Sequence, residues 1–169
     1  MFVLAKTQAR EFILAKQGLI GSYRFFNKKG VYDYIRQAGC IQYDPVDICG
    51  KNAELTLQSR VKGFRKSMLS DLLYKDRLLV DYPDKELSIW PTEDWPYFSQ
   101  YRERSRSLGM TFPELAELER KAIAYIQANG PVSSDKLPID GEIFWHSSIH
   151  WSGNWDKKSH AARSVLEQL

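Results

Sequence analysis

The sequence predicts a mainly α protein with small β-hairpins, and three observations carry that expectation. Apolar residues recur at three- and four-residue spacing in several segments, glycines stand where those stripes stop, and one pair of extended runs flanks Pro83-Asp84. At 169 residues and 43 % hydrophobic, the chain can form one ordinary domain or two small ones, each with its own core.

Thr7 is placed to cap a first helix, and Gly18 to end it, because glycine tolerates the positive φ of a residue just past a helix. An irregular aromatic segment, 21–29, follows. Val31, Tyr34, Ile35 and Ala38 then repeat at helical spacing, and Gly39 closes a second helix. Residues 40–48 read as a short strand. The run 48–61 is ambiguous, since Leu55 and Leu57 alternate with Thr56 and Gln58 yet the composition also suits a helix. From about Arg65 to Lys75, Met68, Leu69, Leu72 and Leu73 make a clear helical stripe. The extended runs 78–82 and 85–90 then read as a hairpin. Three helices, a small strand and a terminal hairpin are the order of a winged helix, expected over residues 1–91.

Thr92 can cap a further helix that holds Pro96 in its first turn and gathers Arg102, Arg104 and Arg106 near its end; with a linker this spans 92–112. Leu115, Leu118, Ala122, Ile123, Tyr125 and Ile126 mark a strong amphipathic helix stopped by Asn129-Gly130-Pro131. Residues 132–137 resemble the short second helix of another helix-turn-helix, capped by Ser133 or Ser134, and a last helix is expected from Lys157 to Leu169. Residues 113–169 are thus expected to begin a second winged helix and to stop before its wing. The whole reads as a tandem winged-helix architecture and as an N-terminal fragment of a longer protein.

Composition narrows the function classes. There are 24 basic and 21 acidic residues, a net charge of +3 and a pI of about 8.8, which permits nucleic-acid binding without establishing it. Cys40 and Cys49 form no CxxC pattern, so neither a zinc site nor a disulfide framework is expected. The apolar run at residues 1–6 is too short for a signal peptide, and no stretch of about 18 apolar residues occurs to span a membrane; a cytoplasmic protein is expected. His146 and His150 are four apart, but neither a zincin glutamate nor a cysteine accompanies them; flanked by Trp145, Trp151 and Trp155, they read as core or hydrogen-bonding residues. No metal or other cofactor is expected, and no phosphate loop, GxSxG or kinase signature is found. Basic and aromatic residues interleave at 23–29 and 60–66, and Arg60, Lys62, Arg65 and Lys66 are candidates for phosphate contacts.

The candidate chemistry lies in Gln42-Tyr43-Asp44. In an extended chain Gln42 and Asp44 share one face and Tyr43, with Ile41, takes the other. A carboxamide and a carboxylate are then presented together. Asp44-Pro45 equally reads as the start of a turn.

The run Gly39–Val46, followed by Asn52, Leu55, Leu57, Ser59 and Arg60, then Leu72–Arg77 and Pro91–Pro96, resembles the AlkZ/YcaQ-type DNA glycosylases; Ser159, Ala161, Ala162, Arg163 and Leu166 are similar to a later helix of that family. The resemblance runs through the chain in one order. It implies tandem winged-helix domains, removal of N7-alkylated purines, unhooking of interstrand crosslinks by some members, and a Gln-x-Gln/Asp catalytic signature that falls here on Gln42, Tyr43 and Asp44. It implies alkylated double-stranded DNA as partner and no cofactor. N7-alkylation makes the purine a good leaving group, so Asp44 is expected to polarise a water and oppose positive charge at the sugar, with Gln42 orienting it. The competing expectations are a non-catalytic winged-helix transcriptional regulator reading undamaged DNA, and an interaction module built on an exposed tryptophan patch at 145–155.

Overall fold

The computed structural model describes residues 3–44, 48–83, 87–108, 113–144 and 158–169. The chain divides into two compact units, Met1–Arg102 and Glu103–Leu169.

The first unit opens with α1 (Lys6–Lys16). Thr7 lies inside this helix and the cap is Ala5, whose backbone N–H donates to the Gln8 side chain at 2.9 Å; a glutamine three residues on satisfies a free N–H as well as a threonine cap would. Then come β1 (Phe25–Phe26) and α2 (Asn27–Ala38), which begins earlier than its apolar stripe suggests and ends at Gly39 with φ 88°. The strand β2 is only Ile41–Gln42, α3 spans Asn52–Arg60 and β3 Val61–Lys62. Helix formation resolves the ambiguous run. Ala53 and Leu57, four apart, are buried while Leu55 is exposed, so the helical period governs burial there. The next helix, α4 (Lys66–Ser70), continues as a π-helical turn over Asp71–Lys75, and its expected stripe, Met68, Leu69, Leu72 and Leu73, is buried.

Strands β4 (Leu79–Pro83) and β5 (Leu87–Pro91) pair antiparallel as expected, and β2 joins β5 on its other edge, giving the order β2-β5-β4. A second small sheet pairs β1 with β3 in parallel. The core lies between these sheets and α2, α3 and α4, centred on Val31, Ile35, Leu57 and Ile89. By contrast α1 buries none of its residues, and Phe12 and Ile13 stay exposed.

Thr92 does not cap an α-helix. Its hydroxyl donates to the Arg77 carbonyl at 2.9 Å, and Thr92–Phe98 forms a 3₁₀ helix that leads into α5 (Ser99–Leu108). This segment is held to the hairpin by aromatic packing. Trp90 stacks on Phe98 at 4.1 Å, and Arg102 lies 4.3 Å over Trp95 while donating to its carbonyl.

The second unit contains a 3₁₀ turn at Pro113–Leu115, α6 (Ala116–Asn129), β6 (Glu142–Phe144), β7 (Lys158–His160) and α7 (Ala161–Gln168). Leu115, Ala122, Leu137, Ala161, Ala162 and Val165 form its core. Two expectations fail here. Residues 132–137 form a turn closed by Lys136 N–H to Ser133 C=O at 3.0 Å, not a helix; Pro138 disfavours the helical conformation at Leu137 and stops propagation. Residues 158–160 are a strand paired with 142–144, so the last helix starts later, at Ala161. His146, His150 and the tryptophans Trp145, Trp151 and Trp155 lie outside the described residues. Among the described residues no helix is long and apolar enough to cross a membrane, and no cluster of three metal-ligating side chains occurs.

Candidate active site

Gln42 and Asp44 stand at the free edge of the three-stranded sheet. Ile41 pairs with Ile89 and Gln42 with Ser88, and the ladder runs one residue further through Tyr43 N–H to Leu87 C=O at 2.8 Å. Ile41 is buried, Gln42 exposed, and Tyr43 half-buried against the core. This is the alternation that an extended edge strand imposes. Asp44 is half-buried; Pro45, Val46 and Asp47, which would test a turn, lie outside the described residues.

Helix α3 meets this edge with its first turn. Asn52 Nδ2 donates to Gln42 Oε1 at 3.5 Å, and Thr56 Oγ1, one helical turn on, donates to Asn52 Oδ1 at 3.4 Å. Lys51 holds its ammonium 5.8 Å from the centre of the Tyr43 ring. Below the strand, Tyr43 is hydrogen-bonded to Tyr74 of the π-helical turn. Tyr74 leaves 60 % of its surface open, but partial burial of its hydroxyl, and after that the nearby Asp81 and Tyr43, push its pKa up to about 12. Burial likewise raises the Asp81 carboxyl, against a main-chain hydrogen bond that lowers it. The strand that carries Gln42 and Asp44 is thereby fastened from both faces.

Arg60, Lys62 and Arg65 lie at or just past the other end of α3, about 12 Å from its start for a helix rising 1.5 Å per residue, whereas Lys66 reaches back to Glu54 in the first turn. Arg60 is half-buried. It sits 5.5 Å from the Tyr34 ring centre and donates to Thr56 C=O at 3.0 Å and to Ser59 Oγ. Burial raises the Tyr34 hydroxyl, and Arg60 pulls the other way. Lys62 and Arg65 are exposed on the α3–α4 turn, and Lys66 pairs with Glu54 at 2.7 Å. Gly63 takes φ 76° in this turn, and a Cβ there would lie 2.8 Å from Asn27 Oδ1.

The basic cluster at 23–29 is committed internally. Lys28 pairs with Asp76 at 2.5 Å and Lys29 with Asp33 at 2.6 Å. Arg24 donates to Ala15 C=O and to Gln37 Oε1, both at 3.4 Å. Sequence reasoning gave Asn52 no role in the chemistry and left Thr56 unused. Their spacing of four becomes informative only once 52–60 is a helix.

A family model described as "DNA glycosylase AlkZ-like" matches residues 35–169. No curated protein and no solved structure matches the chain.

Proposed function

The chain belongs to the AlkZ-like DNA glycosylase family, and from that premise we propose that it acts on DNA in the cytoplasm, hydrolysing the N-glycosidic bond of N7-alkylated purines. The observation that carries the site assignment is the exposed Gln42 on an edge strand with Asp44 two residues along. The order α2, β2, α3, α4, β4, β5, with β2 paired to the second hairpin strand, supports reading residues 1–91 as a winged helix. On the same reading, 92–112 connects to a second module that begins at 113.

The chemistry follows from the lesion. A purine alkylated at N7 is cationic, so it accepts the electron pair of the glycosidic bond without prior protonation. The remaining demand is charge opposite the oxocarbenium-like sugar and a held water. The Asp44 carboxylate opposes the developing charge and takes a proton as the water oxygen bonds to C1′; the C1′–N9 pair leaves with the purine. Gln42 fixes the orientation of the reacting groups. Water as nucleophile makes the enzyme monofunctional, leaving an abasic site in an uncut strand. The same bond is broken when an N7-linked interstrand crosslink is unhooked, so such crosslinks fall within the proposed substrate class. Lys62 and Arg65 supply phosphate contacts, and Arg60 over Tyr34 and Lys66 paired with Glu54 buttress the turn that presents them.

The test is product analysis on a duplex carrying N7-methylguanine. The protein should release free N7-methylguanine and leave alkali-labile, uncut strands. Sequence-specific binding of undamaged duplex with no base release would instead identify a non-catalytic regulator.

A further inference from the structure

We propose that Asn52, steadied by Thr56, is a positioning residue that fixes which end of the Gln42 amide faces the ligand; the proposal rests on the glycosylase reading of the site. A glutamine amide carries an acceptor at one end and two donors at the other, and the two ends have nearly the same shape. Shape alone leaves Gln42 indifferent to which end points outward. Its neighbours are not indifferent. The Thr56 hydroxyl donates to Asn52 Oδ1 at 3.4 Å, which turns the Asn52 amino group toward β2, where it donates to Gln42 Oε1 at 3.5 Å. The carbonyl end of Gln42 is thus engaged from inside the protein, and its Nε2–H₂ group is the end offered outward by a side chain that is itself exposed.

Polarity then passes along a line from helix to site: hydroxyl to carbonyl, amino to carbonyl, amino to ligand. The group that Gln42 meets on the nucleotide must be an acceptor. Purine N3 is such a group and gains electron density as the glycosidic pair moves into the ring; a sugar or phosphate oxygen is another. The proton of the attacking water then falls to Asp44 alone, which divides the work between the two residues.

Two substitutions of nearly unchanged size reverse or cut this line. In Asn52→Asp both oxygens at position 52 are acceptors, so Gln42 must turn its amino group inward to meet them. In Thr56→Val the hydroxyl that orients Asn52 is gone, whereas Thr56→Ser keeps it. The experiment measures three quantities on the full chain: the single-turnover rate of N7-methylguanine release, the affinity for the lesion duplex, and the side-chain ¹⁵N–¹H₂ resonances of Gln42, identified by their loss in Gln42→Glu. Asn52→Asp and Thr56→Val should slow release on the order of ten- to a hundredfold, with affinity changed less than about threefold, as expected of misplaced rather than missing groups. Thr56→Ser should restore the rate. In Asn52→Asp one Gln42 Nε2 proton should move downfield as it becomes an internal donor.

Gln42 resonances that stay in place in Asn52→Asp, or equal damage from Thr56→Ser and Thr56→Val, would overturn the proposal. If the wild-type chain releases no base, the glycosylase reading fails by itself, and the resonance shift still decides how Gln42 is oriented.

Discussion

The two ends of α3 hold polar residues in opposite ways. At its start Asn52, which accepts from the Thr56 hydroxyl, reaches out to Gln42, and the Gln42 side chain remains exposed. At its end Arg60 folds back over Tyr34 and spends guanidinium donors on Thr56 C=O and Ser59 Oγ. Both ends are polar, but only the first spends its hydrogen bonds on presenting a group to solvent. A cation that satisfies the protein is a brace, and a polar side chain held at the surface by others is a candidate for chemistry. The nine residues of α3 therefore separate an end that meets the candidate site from a supporting one.

The largest expected effect on this division comes from Gly30→Ala. A Cβ at Gly30 would lie 2.7 Å from the Phe25 backbone carbon, a contact with main chain that no side-chain rotation relieves. Phe25 pairs with Val61 just after Arg60, so the wedge should open the supporting end. We expect a loss of about 3 kcal/mol in chemical denaturation, against which the roughly 1 kcal/mol of added helix propensity is the smaller effect. Arg60→Ala should cost about 1–2 kcal/mol through the lost ring contact and hydrogen bonds, while leaving the salt dependence of DNA binding near that of the wild type.

Lys62→Ala with Arg65→Ala should do the reverse. Stability should stay within about 0.5 kcal/mol, while the slope of log affinity against log salt falls by about one for each cation removed, as read from titrations at several salt concentrations. If Arg60→Ala and the double variant change places in these two measurements, the division of α3 is wrong.

The smallest effect is a pH dependence beneath the candidate site. Burial raises the folded-state pKa of Asp81 above its unfolded value, so the folded protein keeps that proton longer. The stability this provides is fully present below the unfolded pKa of about 3.9 and is lost as pH rises through the folded value. Asp81→Asn should match the wild type in acid and be more stable, by less than about 1 kcal/mol, at neutral pH. Thermal melts across that range measure it.

Much of this arrangement was legible in the sequence where a single residue type settles the matter locally. Gly18 and Gly39 adopt positive φ at helix ends, and the stripe at 68–73 is buried as its spacing predicts. The hairpin forms where two extended runs flank Pro83-Asp84. Other features depended on contacts that spacing does not carry. Leu55 and Leu57 mimic a strand, and only the core's choice of Ala53 and Leu57 makes 52–60 a helix. The pairing of Glu142–Phe144 with Lys158–His160 joins three-residue strands too short to show alternation. At the candidate site, spacing predicts the exposure of Gln42 and the half-burial of Tyr43 on the edge strand. It does not predict the line from Thr56 through Asn52 to Gln42, since that links a helix to a strand ten residues earlier.

Asp44 carries the largest share of the proposed chemistry. The most direct measurement is the single-turnover rate of N7-methylguanine release by Asp44→Asn beside its affinity for the same duplex. The substitution keeps the size of the side chain and removes its charge. The rate should fall on the order of a hundredfold or more while the affinity changes little, because the lost interaction acts on charge that develops only in the transition state. Release at the wild-type rate by a folded Asp44→Asn protein would contradict the assignment.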